Sequence, residues 1–129
     1  REAIRILPEL DWHDRIPDWD ESGTEQPQEW VLVSHNRDEL RRVMWDYVGI
    51  VRSKLRLDRA FRRSFLLYEE TEDFYRRSRV SPSLCELRNM IAVAYLIIRS
   101  AQMRRESRGL HYMIYYDTPR EEERRPTLV

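Results

Sequence analysis

Cysteine and glycine are scarce in this sequence, and each shortage excludes a class of site. The single cysteine, Cys85, has no partner for an intrachain disulfide, so no disulfide framework supports the fold. The three scattered glycines do not form the glycine-rich loop that holds a phosphate at a helix start. The three histidines, His13, His35 and His111, lie too far apart in sequence to form a zinc ligand set. We therefore predict no metal site and no nucleotide-binding loop.

Net charge is also missing, since 23 basic residues balance 23 acidic ones. Without an excess of either sign, no overall field draws the chain to nucleic acid or to an anionic membrane. Five arginine pairs and seven tyrosines would suit nucleic acid, but the interleaved acidic residues break any basic stripe.

Long apolar runs and a signal-peptide pattern are absent as well. The longest apolar run, residues 90–98, is far shorter than the ~20 residues of a membrane-spanning helix. The charged start, REAIRILPEL, does not have the pattern of a signal peptide. We predict a soluble cytoplasmic protein, and the first residue, which is not methionine, suggests a piece of a longer chain.

Residues 1–35 differ in composition from the rest of the chain. Residues 8–30 hold three of the six prolines and three of the four tryptophans, with neither a helical nor an alternating period. Residues 1–7 resemble the end of a helix, and residues 30–35, WVLVSH, a short extended stretch. We predict that residues 1–35 form an extended lead-in, or linker, from a preceding domain.

Residues 36–112 contain three segments whose apolar spacing predicts helices. Asn36, three residues before a glutamate, fits the N-cap of the first helix. Ser53 fits the N-cap of the second helix, and Pro82 prevents that helix from continuing. Ser83, again three residues before a glutamate, fits the N-cap of the third helix.

The third helix contains the nine consecutive apolar residues 90–98 and is therefore predicted to be central and buried. In a bundle of three helices of this length, the other two helices cannot cover the third one completely. We predict an all-α, up-down-up three-helix bundle that keeps one apolar side free to pack on another domain. Residues 113–129 form a C-terminal tail, and its charged end, residues 120–129, is expected to fray.

The bundle is followed by the segment RRESRGLHYMIYYDTP at 104–119. Arg104, Arg105 and Arg108 fit the C-terminus of the third helix, where cations interact favourably with the helix dipole. Gly109 fits the left-handed residue just past a helix end. Neither role explains the semi-apolar LHY that comes next, for which we predict an interdomain contact rather than a catalytic role. The residues expected to make that contact are Arg108, Leu110, His111 and Tyr112.

Three ungapped blocks carry a resemblance to a known family. MWDYVGIVRS at 44–53, ELRNMIAVAYLIIRSA at 86–101 and ESRGLHY at 106–112 resemble, in this order, the C-terminal helical domain of the L-aspartate oxidase family. The similarity extends over residues 18–116. That family lies within the superfamily of succinate dehydrogenase and fumarate reductase flavoproteins, which shares the ESRG segment.

The resemblance implies an FAD-dependent parent enzyme that oxidises L-aspartate to iminoaspartate in quinolinate and NAD biosynthesis. In that family the FAD and the catalytic residues belong to FAD-binding and capping domains upstream of this region. The resemblance therefore implies that the present chain is inactive alone and holds no catalytic, cofactor-binding or metal-binding residue. Residues 1–35 would lead in from the FAD-binding domain, and the two upstream domains would be its partners.

Two other functions stay open at this point. The chain would have an iron–sulfur partner if its parent were the flavoprotein subunit of a succinate dehydrogenase or fumarate reductase. It would need no parent enzyme if it were a free-standing helical interaction module. A homo-oligomer formed through the uncovered apolar side also stays open. So does the role of His111, which would either approach the flavin or only pack at a domain boundary.

Overall fold

The computed structural model describes residues 18, 20–22, 24 and 30–129. Its elements are the helices α1 (Trp30–Val48), α2 (Lys54–Arg77) and α3 (Pro82–Met103), the strands β1 (Val51–Arg52) and β2 (Tyr112–Met113), and a 3-10 turn at Glu121–Glu123. Short connections join the helices, which makes consecutive helices antiparallel neighbours. The predicted all-α, three-helix bundle is confirmed. The predicted helix end at 1–7, and most of the predicted lead-in, lie outside the described residues.

Helix α1 begins at Trp30, six residues before the predicted N-cap. The extended stretch predicted for residues 30–35 is therefore wrong. Asn36 lies inside the helix and is buried, and its Nδ2 donates to Oε2 of Glu70 in α2 over 3.4 Å. The helix extends toward its N-terminus because Val33 continues the helical spacing of Asn36 and Leu40 into the core.

Serine side chains cap the starts of the other two helices. Ser53 caps α2 as predicted, since its Oγ accepts a hydrogen bond from the backbone N–H of Arg56 over 3.2 Å. The cap of α3 is Ser81, two residues before the predicted Ser83, and its Oγ accepts from the N–H of Leu84 over 3.3 Å. Pro82 occupies the first turn of α3, where its missing N–H costs nothing.

The core consists of two apolar clusters between the three helices. The first contains Val33, Leu40, Leu67, Leu84, Leu87, Ile91 and Ala94. The second contains Val43, Val48, Leu57, Ala60, Ile98, Ala101 and Met113. Met113 belongs to β2 and is only 4% exposed, so a residue beyond the bundle closes the end of the second cluster.

Helix α3 buries only one of its faces. The predicted central position of α3 is wrong, because α2 contacts both α1 and α3 more extensively than these two contact each other. The outer side of α3 is exposed and apolar, with Val93 and Leu96 more than half exposed. The expectation that one apolar side of the bundle is left uncovered therefore agrees with the described residues.

The C-terminal tail does not fray as predicted. Arg104, just beyond α3, donates to the backbone carbonyls of Glu123 and Arg125 over 2.7 and 3.1 Å. It also donates to Oγ1 of Thr127 over 2.9 Å. One guanidinium thus holds three positions of the tail, because its five fixed donors can serve several acceptors at once.

Candidate interdomain site

The candidate site is the exit segment, residues 104–118, which leaves the bundle where α3 ends at Met103. The backbone turns extended at Arg104, with φ −86° and ψ 119°, and the last turn of α3 contains no basic residue. The helix therefore ends before the predicted stop at Gly109. Arg104 is the C-cap of α3, whereas Arg105 and Arg108 lie beyond the helix, so the predicted position at the helix C-terminus is correct for Arg104 only.

The carboxylate of Glu106 is the centre of the exit segment. This side chain is fully buried, and it accepts a hydrogen bond from Nη2 of Arg104. Nε of Arg108 donates to both carboxylate oxygens, over 3.1 Å to Oε2 and 3.2 Å to Oε1. The backbone N–H of Arg120 adds a third donor at 2.9 Å. The hydrogen bonds from Arg108, Arg120 and Arg104, in that order, lower the pKa of Glu106 from 4.5 to about 2, against the opposing effect of burial. A buried charge is tolerable here because its donors surround it.

Ser107 closes the segment on itself. Its Oγ accepts from the backbone N–H of Met113 over 2.9 Å and donates to the carbonyl of Tyr116 over 2.5 Å. Its backbone N–H donates to the carbonyl of Thr118 over 3.2 Å. The segment is thus an internally bonded loop that places Met113 in the core.

A tight turn forms the tip of this loop. The backbone N–H of Arg108 donates to the carbonyl of His111 over 2.9 Å, and the N–H of His111 donates to the carbonyl of Arg108 over 3.1 Å. Gly109 lies inside this turn with φ +58°, a left-handed conformation that glycine adopts without a steric penalty. The left-handed prediction for Gly109 is therefore confirmed, but the residue belongs to the loop and not to the helix end.

Beyond the turn, β2 pairs with β1 in a short parallel ladder that ties the exit segment to the α1–α2 connection. The N–H of Tyr112 donates to the carbonyl of Ile50 over 3.1 Å. The N–H of Ile114 donates to the carbonyl of Arg52 over 3.0 Å. Both strands are only two residues long, so the ladder fixes position without forming a sheet surface.

Side chains reinforce this junction through Arg52 and His111. Nη1 of Arg52 lies 2.7 Å from Nδ1 of His111. Because a guanidinium only donates, Nδ1 is the acceptor and the imidazole is neutral. Burial first, and then the charge of Arg52, lower the pKa of His111 below its usual range. Arg52 also donates to the carbonyls of Gly49 and Val48 over 2.7 and 3.1 Å, so one side chain completes the end of α1 and positions the exit loop.

The structure brings the four predicted contact residues together in the one turn. Arg108 and His111 are already engaged with Glu106 and Arg52. Leu110 and Tyr112 point outward, with 76% and 40% of their surface exposed. If the turn contacts another domain, these two side chains supply the free surface.

Glu106 and Arg52, the two residues that hold the turn, were not predicted from the sequence. Glu106 had a readable local signal, because arginines stand two positions before and after it. Arg52 had none, since 59 positions separate it from His111.

Within residues 30–129 and the few described positions before them, no three His, Cys, Asp or Glu side chains converge as metal ligands would. None of the helices described here has the length and apolar character needed to cross a membrane.

Comparison with known proteins gives a consistent assignment. Residues 37–125 match a family model described as the C-terminal part of fumarate reductase flavoproteins. The chain is 51% identical over 115 residues to the L-aspartate oxidase of Pseudomonas aeruginosa, covering 89% of this chain and 21% of that protein. It is 48% identical over 115 residues to the L-aspartate oxidase of Yersinia pestis, covering 89% of this chain and 22% of that protein.

A plant protein is similar over a somewhat shorter region. The chain is 42% identical over 104 residues to the chloroplastic L-aspartate oxidase of Arabidopsis thaliana, covering 77% of this chain and 16% of that protein. The chain spans about a fifth of the length of the first curated relatives it matches.

Proposed function

The chain belongs to the family of fumarate reductase flavoprotein C-terminal regions, and from that premise we propose that it is the C-terminal helical domain of an FAD-dependent L-aspartate oxidase. The observation that carries the proposal is the identity of about half of the residues to L-aspartate oxidases over 89% of the chain. The parent enzyme would oxidise L-aspartate to iminoaspartate in NAD biosynthesis. Its location would be cytoplasmic.

We infer that this chain does not itself hold the FAD. A dinucleotide is usually held by a glycine-rich loop at a helix N-terminus, where backbone N–H groups meet the phosphates. The starts of α2 and α3 are instead closed by the side chains of Ser53 and Ser81, and neither start contains glycine. We therefore assign FAD and the catalytic residues to the part of the parent protein that precedes this chain, and we expect the chain alone to be inactive.

The exit turn is the part of this chain that we assign to interdomain contact. Leu110 and Tyr112 would pack on the neighbouring domain, since their side chains are exposed and apolar or amphipathic. Arg108 and His111 would fix the direction of the turn through Glu106 and Arg52. In this assignment His111 packs at a domain boundary and has no part in the chemistry.

The activity is tested with the complete parent protein. We expect anaerobic L-aspartate to bleach its flavin absorbance, and we expect peroxide to form when oxygen is admitted. The 129-residue chain should bind no flavin and produce no peroxide. Flavin bound by this chain alone would refute its assignment as a non-catalytic domain, and a parent protein that ignores aspartate would refute the proposed substrate.

The role of His111 is tested by two substitutions in the parent protein. His111→Ala removes the acceptor for Arg52 and should cost about 1–2 kcal/mol of stability, because a donor loses its partner. His111→Asn offers an amide oxygen in a similar place and should cost less. We expect turnover per folded, flavin-loaded enzyme to stay unchanged in both. A fall in turnover without a loss of stability would instead assign His111 a functional role.

A flavoprotein subunit of a succinate dehydrogenase or fumarate reductase is the second candidate, because the matching family is described by that name. Such a parent would oxidise succinate or reduce fumarate and would co-purify with an iron–sulfur subunit. Aspartate-dependent flavin reduction without an iron–sulfur subunit would exclude it. A reading frame whose start codon lies directly before Arg1 would favour a free-standing helical module.

A further inference from the structure

The middle part of helix α3 has an uncharged outer face. The sequence between Arg88 and Arg99 contains no charged residue. Within that stretch Val93, Leu96 and Ile97 are 55%, 51% and 42% exposed. The outer face of a surface helix normally carries polar and charged side chains, so an apolar one indicates a surface that is covered in the functional protein.

A groove flanks α3 on each side. The groove between α1 and α3 has a volume of about 890 Å³, and Trp45, the most exposed tryptophan of the described residues, stands at its edge. The groove between α2 and α3 has a volume of about 520 Å³ and is lined by Phe65 and Tyr68 from α2. The two grooves and the ridge between them form one apolar area, which we name the α3 surface. Its members are Trp45, Phe65, Tyr68, Val93, Leu96 and Ile97.

Resting on the proposed function, we propose that the α3 surface is covered by the polypeptide that precedes this chain in the same parent protein. The covering surface would be apolar and concave, with side chains that enter both grooves beside the α3 ridge. This surface is separate from the exit turn, which the second core cluster and the β1–β2 ladder hold at the end of α3.

The length of the relatives identifies this occupant. The matching region makes up 21% of the Pseudomonas aeruginosa relative, and the family is described as a C-terminal part. About four fifths of such a parent would therefore lie before the present chain. A covalently attached domain acts at an effective concentration in the mM range when the linker can span the sites. It would therefore occupy an apolar surface ahead of partners that are free in solution.

A second copy of the chain fits the α3 surface less well. In a two-fold dimer the same surface faces itself, so its shape must be self-complementary. Each α3 ridge could enter one groove of the other copy, and the second groove would stay open. A concave partner covers the ridge and both grooves together.

Hydroxyl-radical footprinting of the complete parent protein tests the proposal at the level of side chains. Trp45 is 84% exposed here, so an uncovered Trp45 should react almost as fast as in the urea-unfolded protein. We expect a several-fold loss of Trp45 reactivity in the native parent, together with protection of Phe65 and Tyr68. Leu55 is the matched control, because it is 73% exposed and lies outside the α3 surface.

The concentration of the parent protein separates the possible occupants. Protection that persists when the protein is diluted to a monomer supports coverage by the same polypeptide. Protection that disappears on dilution overturns the proposal in favour of a second copy. Reactive Trp45 at every concentration overturns it altogether. In addition, Trp45→Asp should make Phe65 and Tyr68 reactive, whereas Leu55→Asp should not.

The same preparation keeps this inference distinct from the proposed function. A parent that oxidises aspartate but leaves Trp45 reactive would refute only the covered surface. A parent with a protected Trp45 but no response to aspartate would refute only the proposed substrate.

Discussion

Among single residues, Glu106 is the most informative, because it is a fully buried carboxylate that lies between two arginines. Lysine could not replace those arginines equally well, since a guanidinium donates several hydrogen bonds in a fixed plane. Arg104 uses this geometry to bind the carboxylate and the tail together. The acid is thus the point at which the helix end, the exit loop and the tail meet.

The pH dependence of unfolding should reveal the ionised Glu106. Its folded-state pKa of about 2 lies below the ordinary value of 4.5. The folded protein therefore holds this proton less tightly than the unfolded chain does. The stability that ionised Glu106 contributes is fully present above about pH 4.5 and is lost as the pH falls through about 2. Urea unfolding midpoints measured across this range test the prediction.

Glu106→Gln is the corresponding variant, since glutamine keeps the shape and removes the charge. We expect a lower unfolding midpoint at neutral pH and a shallower decline toward pH 2. The exposed Glu122→Gln is the control and should follow the wild-type curve. A variant as stable as wild type at neutral pH would show that the buried ion cluster contributes no net stability.

Substitutions at Gly109 should measure how much a left-handed backbone conformation costs in folding stability. Its φ is +58°, and nothing lies within 4 Å of the position that a Cβ would occupy. Gly109→Ala should therefore destabilise the chain by about 1–2 kcal/mol through conformation alone. Gly109→Asn should cost less, because asparagine tolerates the left-handed region better. Thermal unfolding of the two variants tests this order, and equal stability of wild type and Gly109→Ala would contradict it.

At the scale of the elements, the start of α3 offers a direct test of capping. Ser81→Ala removes the hydroxyl that accepts from the N–H of Leu84 and should cost ~1 kcal/mol. Ser83→Ala, two positions later, changes an exposed residue of the first turn and should be neutral or slightly stabilising. Chemical denaturation of both variants distinguishes the two serines. A larger loss for Ser83→Ala would contradict the observed cap.

The sequence predicted these elements where local signals agree with tertiary packing. Ser53 is both a good N-cap and the residue that precedes the apolar spacing of α2, so its role was readable. Asn36 carried an equally good local signal, but its side chain turns toward Glu70 of another helix. Burial of Val33 then decides where α1 starts, and no local pattern contains that information.

The exit segment was only half predictable for a similar reason. Its sequence predicted a semi-apolar segment, LHY, after the third helix and a left-handed glycine at 109. Its geometry depends on Arg52, which is distant in sequence, and on the backbone of Arg120 in the tail that follows it. Contacts of this kind form only in the assembled fold. The four residues predicted to make the interdomain contact therefore do lie in one turn, but Glu106 and Arg52, which hold that turn, were not predicted.

For the whole molecule, the C-terminal tail should stabilise the end of the bundle through its hydrogen bonds to Arg104 and Glu106. A chain that ends at Pro119 would lose the Arg120 N–H that donates to Glu106 and three acceptors of Arg104. We expect its melting temperature to fall by several degrees, because buried charged groups lose partners. A chain that ends at Thr127 loses only two exposed residues and should melt like wild type. Equal melting temperatures of the full chain and both truncated chains would contradict a stabilising role of the tail.

The β1–β2 ladder has a consequence for the order of events during synthesis. It joins segments about sixty positions apart, as the 59-residue separation of Arg52 and His111 indicates. All three helices therefore leave the ribosome before β2 does, and closing so long a loop is slow compared with helix formation. Met113 reaches the core last, so the nascent bundle keeps one end of its interior open to water and to chaperones until β2 has left the ribosome.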